Sequence, residues 1–282
     1  MTSKNNKGFN LGKELAEQSS EDWPLGGAGL SCLAEIPEEE RESYLPKGEL
    51  QFGKEDFMSC VSIGILNILA SKFTYLIDKK KLSFSNLAWL YEKGYVVDGK
   101  IDFSDIFIAV LSNTGRDGNS LKAPLDAVRH FGLIPKPMLP TRSDMTFDEY
   151  HDKSKITDEM MKLGEEFKSR FFINYERGGE VDFAVILKRD SLLVGAYAWP
   201  VAVNGIYPRV SDSPNHSFMV FKPRYFAFDN YEESPGDWIK QLAGDYDFID
   251  TGYRILINKE AVTPQKKTFW DFLRGYFKEI WR

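Results

Sequence analysis

Cysteine is scarce in this chain of 282 residues: there are 2, Cys32 and Cys60, alongside 3 histidines. Two thiols exclude a disulfide-framework scaffold and any cysteine-rich zinc module. There is no uninterrupted apolar run of about 18 residues, so no membrane-spanning segment is expected. The opening "MTSKNNKGFNLGKELAEQ" has no apolar leader core, so no secretory signal is expected there and the location expected is intracellular or virion-associated. A basic excess is also missing: 36 Lys and Arg face 42 Asp and Glu, a net charge of −6, which argues against a nucleic-acid partner. No internal repeat is present. With 43% hydrophobic and 28% charged residues the chain reads as soluble and globular, and its 21 Phe predict thick, well-filled cores.

Organisation changes along the chain. Residues 1–48 are polar, with the Gly-rich "PLGGAGL" and the acidic "EIPEEERE", and read as an arm or strap laid over a domain. Residues 49–156 are helix-rich. A helix starting near Ser59 is apolar on most faces through Val61, Ile63, Ile65, Leu66, Ile68 and Leu69, the mark of a buried central helix. "SFSNLAWLYEK" reads as a second helix with a serine N-cap, 102–112 and 120–131 as two more, the last closed by Gly132 ahead of Pro135. From 157 to 260 one helix (157–170) precedes six strand-like runs: "RFFINYE", "DFAVILK", "LLVGAYAWPV", "HSFMVF", "YFAFDN" and "GYRILIN". Helices first and antiparallel strands second predict a two-lobed α+β fold, with a site at the lobe boundary. Residues 261–282 form a basic, aromatic amphipathic pattern. It suits packing on its own domain first, and otherwise a membrane surface or a protein partner.

Cys60 stands where the central helix begins. A helix N-terminus and a nearby imidazolium are what turn a thiol into a nucleophilic thiolate. Of the histidines, His130 lies within a helical segment and His151 in the polar "DEYHDKSK", which favours a solvated loop. His216 opens the strand "HSFMVF", so its ring projects from a strand end. The following strand ends in Asp229 and Asn230, either of which could orient that ring and fix its tautomer. Neighbours on a strand face opposite ways, so strand phase decides between them.

In this order, Cys then His then Asp or Asn, the sequence resembles the papain-like cysteine peptidases. The resemblance covers about residues 49–258. Gln51 precedes the cysteine as the family's oxyanion donor does, at a longer spacing. "GRDGNSLKAPLDAVRHFGLIPKPMLP" resembles the family's Gly-Gly segment and the helix after it, "LLVGAYAWPVAVNGIYP" the stretch ahead of the histidine, and "GYRILIN" the closing strand. The resemblance implies the two-lobed fold, a helical lobe against an antiparallel, barrel-like β lobe. It also implies a peptide or protein substrate, no metal or organic cofactor, and a peptide-binding wall at Gly118 and Asn119. Asn215, Ser217, Ala198 and Trp199 would lie near the substrate. The Cys-Gly-Ser-Cys-Trp and Asn-Ser-Trp-Gly signatures are absent, with "SCVS" and "DNYEE" in their places. Together with the lack of disulfide cysteines, this points to a divergent, intracellular or phage-type relative. Three functions are therefore expected in descending order. They are a cysteine endopeptidase using Cys60, His216, Asp229 or Asn230 and Gln51; an inactive structural or assembly protein on the same fold; and a thiol amidase or acyl transferase acting on cell-wall or conjugate bonds. The arm, short and without an obvious helical motif, is not expected to fill the cleft.

Overall fold

The computed structural model describes residues 7–17, 34–179, 182–210, 212–231 and 236–258. Cys32 and the amphipathic stretch 261–282 lie outside these residues.

Helix α1 spans Leu11–Glu17, and α2, Cys60–Asp78, is the central helix. Every residue of α2 from Cys60 to Leu76 is buried, as its apolar faces require. By length and composition α2 could cross a membrane, against the expectation that no such helix exists, but 94% of its apolar window is packed inside the protein. Around it lie α3 (Phe84–Glu92), α4 (Asp105–Leu111), α5 (Lys122–Phe131), the single turn α6 (Phe147–Tyr150) and α7 (Asp158–Arg170). Their starts are locally encoded. Ser83 accepts from the backbone of Asn86, Ser104 from Phe107 and Thr157 from Met160, each capping its helix. Helix α5 stops at Gly132, φ 70°, where a Cβ would overlap the carbonyl of Gly164. That bare crossing brings α5 and α7 together, so α7 packs with the helical half.

A small hairpin pairs β1 (Val96–Val97) with β2 (Lys100–Ile101). The remaining strands are β3 (Phe172–Gly179), β4 (Leu192–Ala196), β5 (Ile206–Tyr207), β6 (His216–Lys222), β7 (Phe226–Phe228), β8 (Ile239–Leu242) and β9 (Phe248–Asn258). They form one sheet in the order β3-β9-β4-β6-β7-β8-β5. One expected strand is absent: "DFAVILK" is instead helix α8, Phe183–Arg189. Its Phe183, Ile186 and Leu187 are buried while Val185 faces out, a helical spacing of buried positions.

Two cores result. The larger joins α2, α4, α5 and α7 to one face of the sheet; the smaller lies on the other face beneath α8. Buried charge also ties the halves. Lys72 of α2 meets Asp190 at 2.7 Å, and Arg254 of β9 reaches the same carboxylate at 3.0 Å. Gly64 lets α2 lie directly on the sheet, since a Cβ there would come within 3.6 Å of the Phe218 Cα. That contact sets the N-terminus of α2, and hence Cys60, against the start of β6.

Candidate active site

Cys60 is the first residue of α2, after Ser59, and is fully buried. Burial pushes its thiol well above the ordinary range. Backbone hydrogen bonds from Ser217 and Val61 oppose this, while the charges of Asp56 and Asp229 add to it. In this arrangement the sulfur is a neutral thiol. Its contact with Ser217 places it beside the strand that carries His216.

His216 opens β6 opposite Ala196, and Asp229 follows the end of β7. The His216 Nε2 lies 2.6 Å from Asp229 Oδ1, and both side chains are buried. A carboxylate only accepts, so Nε2 carries a proton, and in the neutral ring Nδ1 is the nitrogen left with a lone pair. That Nδ1 is buried with no hydrogen-bond partner, so the Cys60 thiol does not bond to it here. Burial pushes the Asp229 carboxyl up, yet the attraction of His216 in its protonated form and its hydrogen bond, with a lesser pull from Lys240, outweigh it and leave it below the usual carboxylate value. The second oxygen, Oδ2, accepts the indole N–H of Trp199 at 2.6 Å.

Asn230 faces away from His216, as alternation along a strand requires, and its Nδ2 donates to Gln51 Oε1. The Gln51 Nε2 has three acceptors: Asp56 Oδ1 at 2.9 Å, the Tyr231 hydroxyl oxygen at 2.7 Å and the backbone carbonyl of Lys7 at 2.9 Å. Because a carboxylate and a carbonyl lie on that side, the amide orientation is fixed chemically. Asp56 also accepts from the Met58 backbone at 2.8 Å and from the Tyr231 hydroxyl. Burial and the nearby Asp56 push Tyr231 up, so it stays protonated.

Residues 7–10 fill the groove between the two walls named from the sequence, contrary to the expectation for the arm. On one side, Lys7 and Phe9 N–H donate to the Asn215 carbonyl at 2.9 and 3.3 Å. On the other, Asn119 N–H donates to the Gly8 carbonyl and Asn10 N–H to the Asn119 carbonyl, both at 2.8 Å. Phe9 is buried against Gly195 and Ile249. Lys7 stands over the Tyr231 ring at 4.1 Å, and Lys13 binds Asp117 at 3.1 Å and the Gly118 carbonyl at 2.9 Å. The buried Glu14 accepts from the Leu121 backbone at 2.7 Å and from Tyr253 at 3.0 Å. The strap is thus held by main-chain and side-chain bonds along its length.

The remaining sequence candidates are placed as follows. Asn215 offers its carbonyl to the strap, and its side-chain oxygen accepts from Ala198 N–H at 2.9 Å. The Ser217 hydroxyl is buried without a partner, so Ser217 meets the site through its backbone. His130 bonds the Asp126 carbonyl at 2.8 Å on α5, away from Cys60. His151, expected in a solvated loop, is half-buried and bonds the Phe57 carbonyl at 2.8 Å. No metal-binding cluster of His, Cys, Asp or Glu occurs among the described residues. Asp56, Tyr231 and the entry of the strap into the groove were not expected from the sequence. The one signal for Tyr231 is its place two positions after Asp229, where the resembled family carries an aromatic residue.

No family model matches the chain, and no curated protein matches its sequence. Solved structures do. Xylellain, a cysteine protease from Xylella fastidiosa, is 12% identical with a TM-score of 0.53, covering 93% of this chain and 98% of that one. The ragweed pollen cysteine protease Amb a 11 in its proform is 14% identical, TM-score 0.51, covering 92% and 77%. The digestive procathepsin L 3 of Tenebrio molitor larval midgut is 9% identical, TM-score 0.51, covering 89% and 76%. The fold is that of the papain-like cysteine proteases: two lobes, α+β, with the central helix against the sheet. This chain is a divergent example of that fold.

Proposed function

We propose that the protein is a cysteine peptidase of papain type, kept latent by its own N-terminal strap. The observation that carries this reading is the peptide already in the groove. Lys7–Asn10 is bonded through its backbone to Asn119 on one wall and Asn215 on the other, with the Lys7 carbonyl on the amide of Gln51. A groove that holds an extended main chain from both sides, beside a cysteine at a helix N-terminus and a histidine oriented by a carboxylate, suits peptide-bond cleavage.

Once the strap leaves, water enters and the desolvation that holds Cys60 neutral is relieved. The His216 Nδ1 then takes the thiol proton. The thiolate attacks the carbonyl carbon, and the oxyanion is met by Gln51 Nε2 and the Cys60 N–H. His216 returns the proton to the leaving amine as the C–N bond breaks. Water, deprotonated by His216, cleaves the thioester and regenerates the thiol. Two of the neighbouring solved structures are described as a proform and a procathepsin, which agrees with latency here.

The test is hydrolysis of a fluorogenic peptide library, together with labelling by a peptidyl epoxide. Both are expected from wild type after the strap is displaced and neither from Cys60→Ala. Undiminished hydrolysis by Cys60→Ala would end the reading. A second reading, an inactive protein of this fold with a permanently filled cleft, is favoured by the neutral, buried thiol. It predicts that Cys60 resists iodoacetamide at pH 6 even after the strap is released, as an ordinary thiol does.

A further inference from the structure

We propose that Trp199 is a positioning residue that makes a carboxylate obligatory at position 229 and thereby fixes the tautomer of His216. The catalytic consequence rests on the peptidase reading above; the tautomer itself does not.

Asp229 receives two donors, one on each oxygen. His216 Nε2 lies 2.6 Å from Oδ1 and Trp199 Nε1 lies 2.6 Å from Oδ2. An indole N–H can only donate, whereas an imidazole nitrogen either donates or accepts. A carboxylate satisfies both partners and leaves the ring proton on Nε2. A carboxamide offers one oxygen. If Trp199 takes it, the carboxamide NH2 is turned toward His216, and Nε2 must accept. The ring proton then moves to Nδ1, the nitrogen that has to receive the proton of Cys60. If His216 takes it instead, the indole N–H of the half-buried Trp199 loses its acceptor, which costs free energy wherever packing keeps it from another partner.

The surroundings favour the first outcome. The Trp199 ring is held by Phe218 at 4.8 Å and Tyr207 at 5.2 Å, and it stands edge-on to His216 at 5.9 Å. Lys240, buried and bonded to the Asp237 carbonyl at 2.9 Å, sits 5.6 Å from the same ring. The indole therefore has little freedom to seek another acceptor, while an imidazole exchanges its proton between nitrogens at no cost in position. This accounts for a departure visible in the sequence. The resembled family's signature places Asn at the third position; this chain, with a tryptophan N–H on the other side, carries Asp.

The test uses the full-length chain labelled with 15N-histidine. With 3 histidines in the sequence, the ring signals of His216 are separable from those of His130 and His151. Wild type is expected to show the proton on Nε2, and Asp229→Asn on Nδ1. Adding Trp199→Phe to Asp229→Asn frees the carboxamide oxygen and is expected to return the proton to Nε2. In turnover of a fluorogenic peptide, Asp229→Asn is expected to lower kcat about a hundredfold or more with KM nearly unchanged, and the double variant to recover about tenfold of it. A purely structural role for Trp199 predicts the reverse, with the double variant worse than either single one. An Nε2 proton retained in Asp229→Asn, or no recovery in the double variant, overturns the proposal. Should Asp229→Asn not fold, the double variant decides alone: folded with an Nε2 proton it supports the proposal, unfolded it refutes it. A wild-type chain that hydrolyses nothing defeats the peptidase reading but leaves the tautomer exchange to be read by resonance.

Discussion

The backbone carbonyl of Lys7 lies 2.9 Å from Nε2 of Gln51, so the strap supplies the oxygen that, in the proposed peptidase, a substrate would place there. The same strap crosses the backbone of Met58 at Gly8, whose φ is +105°. A Cβ at Gly8 would come within 2.5 Å of the Met58 carbonyl carbon and oxygen, and neither is a flexible side-chain end. Gly8→Ala is therefore expected to loosen the strap without touching the groove walls. Strain of this kind is worth about 1–3 kcal/mol, so alkylation of Cys60 by iodoacetamide at neutral pH is expected to speed up about tenfold or more. An unchanged rate would mean that the strap does not control access to the sulfur.

Asp56 presents a cost to the same site. Its carboxylate holds the Gln51 amide and the Tyr231 hydroxyl, yet its charge is one of the causes that push the Cys60 thiol up. Asp56→Asn keeps an oxygen for Gln51 and Met58, and its NH2 can donate to the Tyr231 oxygen, while the charge is lost. Removing an anion favours the thiolate, so the pH profile of Cys60 alkylation is expected to move to lower pH. In the Gly8→Ala background the rate at pH 6 should rise about twofold to tenfold. A profile that stays in place would show that Asp56 is screened from the sulfur.

How much of this was readable beforehand depended on range along the chain. The central helix was legible because "CVSIGILNIL" is apolar on most faces. Ser83 and Gly132 announced a helix start and a helix end with side chains that do those jobs locally. Helix α8 was misread because Phe183, Ala184, Val185, Ile186 and Leu187 are apolar without interruption. Only burial reveals the period, and Val185 is 54% exposed. The hairpin over "VVDGKI" left a readable trace in Asp98-Gly99, a two-residue turn with φ of 50° and 76°, but its strands are only two residues long. At the site, residue types and their order suggested which groups to watch. The choice of Asp229 over Asn230 as the partner of His216 needed strand phase. That residues 1–48 form a strap was legible, but its entry into the groove was not, because its grip there is mostly backbone to backbone, which leaves no side-chain signature beyond Gly8 and Gly118.

The crossing of α5 and α7 gives a stability prediction independent of the site. Gly132 has a positive φ, and a side chain there would run into the Gly164 carbonyl. Gly132→Ala is expected to destabilise the protein by about 2–4 kcal/mol, since strain and overlap act together. Gly205, with a φ of 77° and open space around its Cβ position, is the control. Gly205→Ala should cost only about 1 kcal/mol, the backbone term alone. Equal losses in thermal or urea denaturation would mean that α5 and α7 can separate without penalty.

Asp102 links the helical half to pH. Burial, and then the neighbouring Asp105, raise its carboxyl from 3.8 to about 6. A carboxyl raised on folding binds its proton more tightly in the native protein than in the unfolded chain. Between pH 4 and 6 the native state therefore holds more protons, and its stability falls as pH rises, levelling off above the folded value. Asp102→Asn removes that titration while leaving the backbone bonds of residue 102, to the Tyr95 carbonyl and from Lys136 N–H, untouched. The variant is expected to match wild type near pH 4 and to exceed it at pH 8 by about 1–3 kcal/mol, the upper end being the full shift undiminished by solvent. The comparison is a urea denaturation series at the two pH values. A gain at pH 4 as large as that at pH 8 would assign the effect to packing and not to the buried charge.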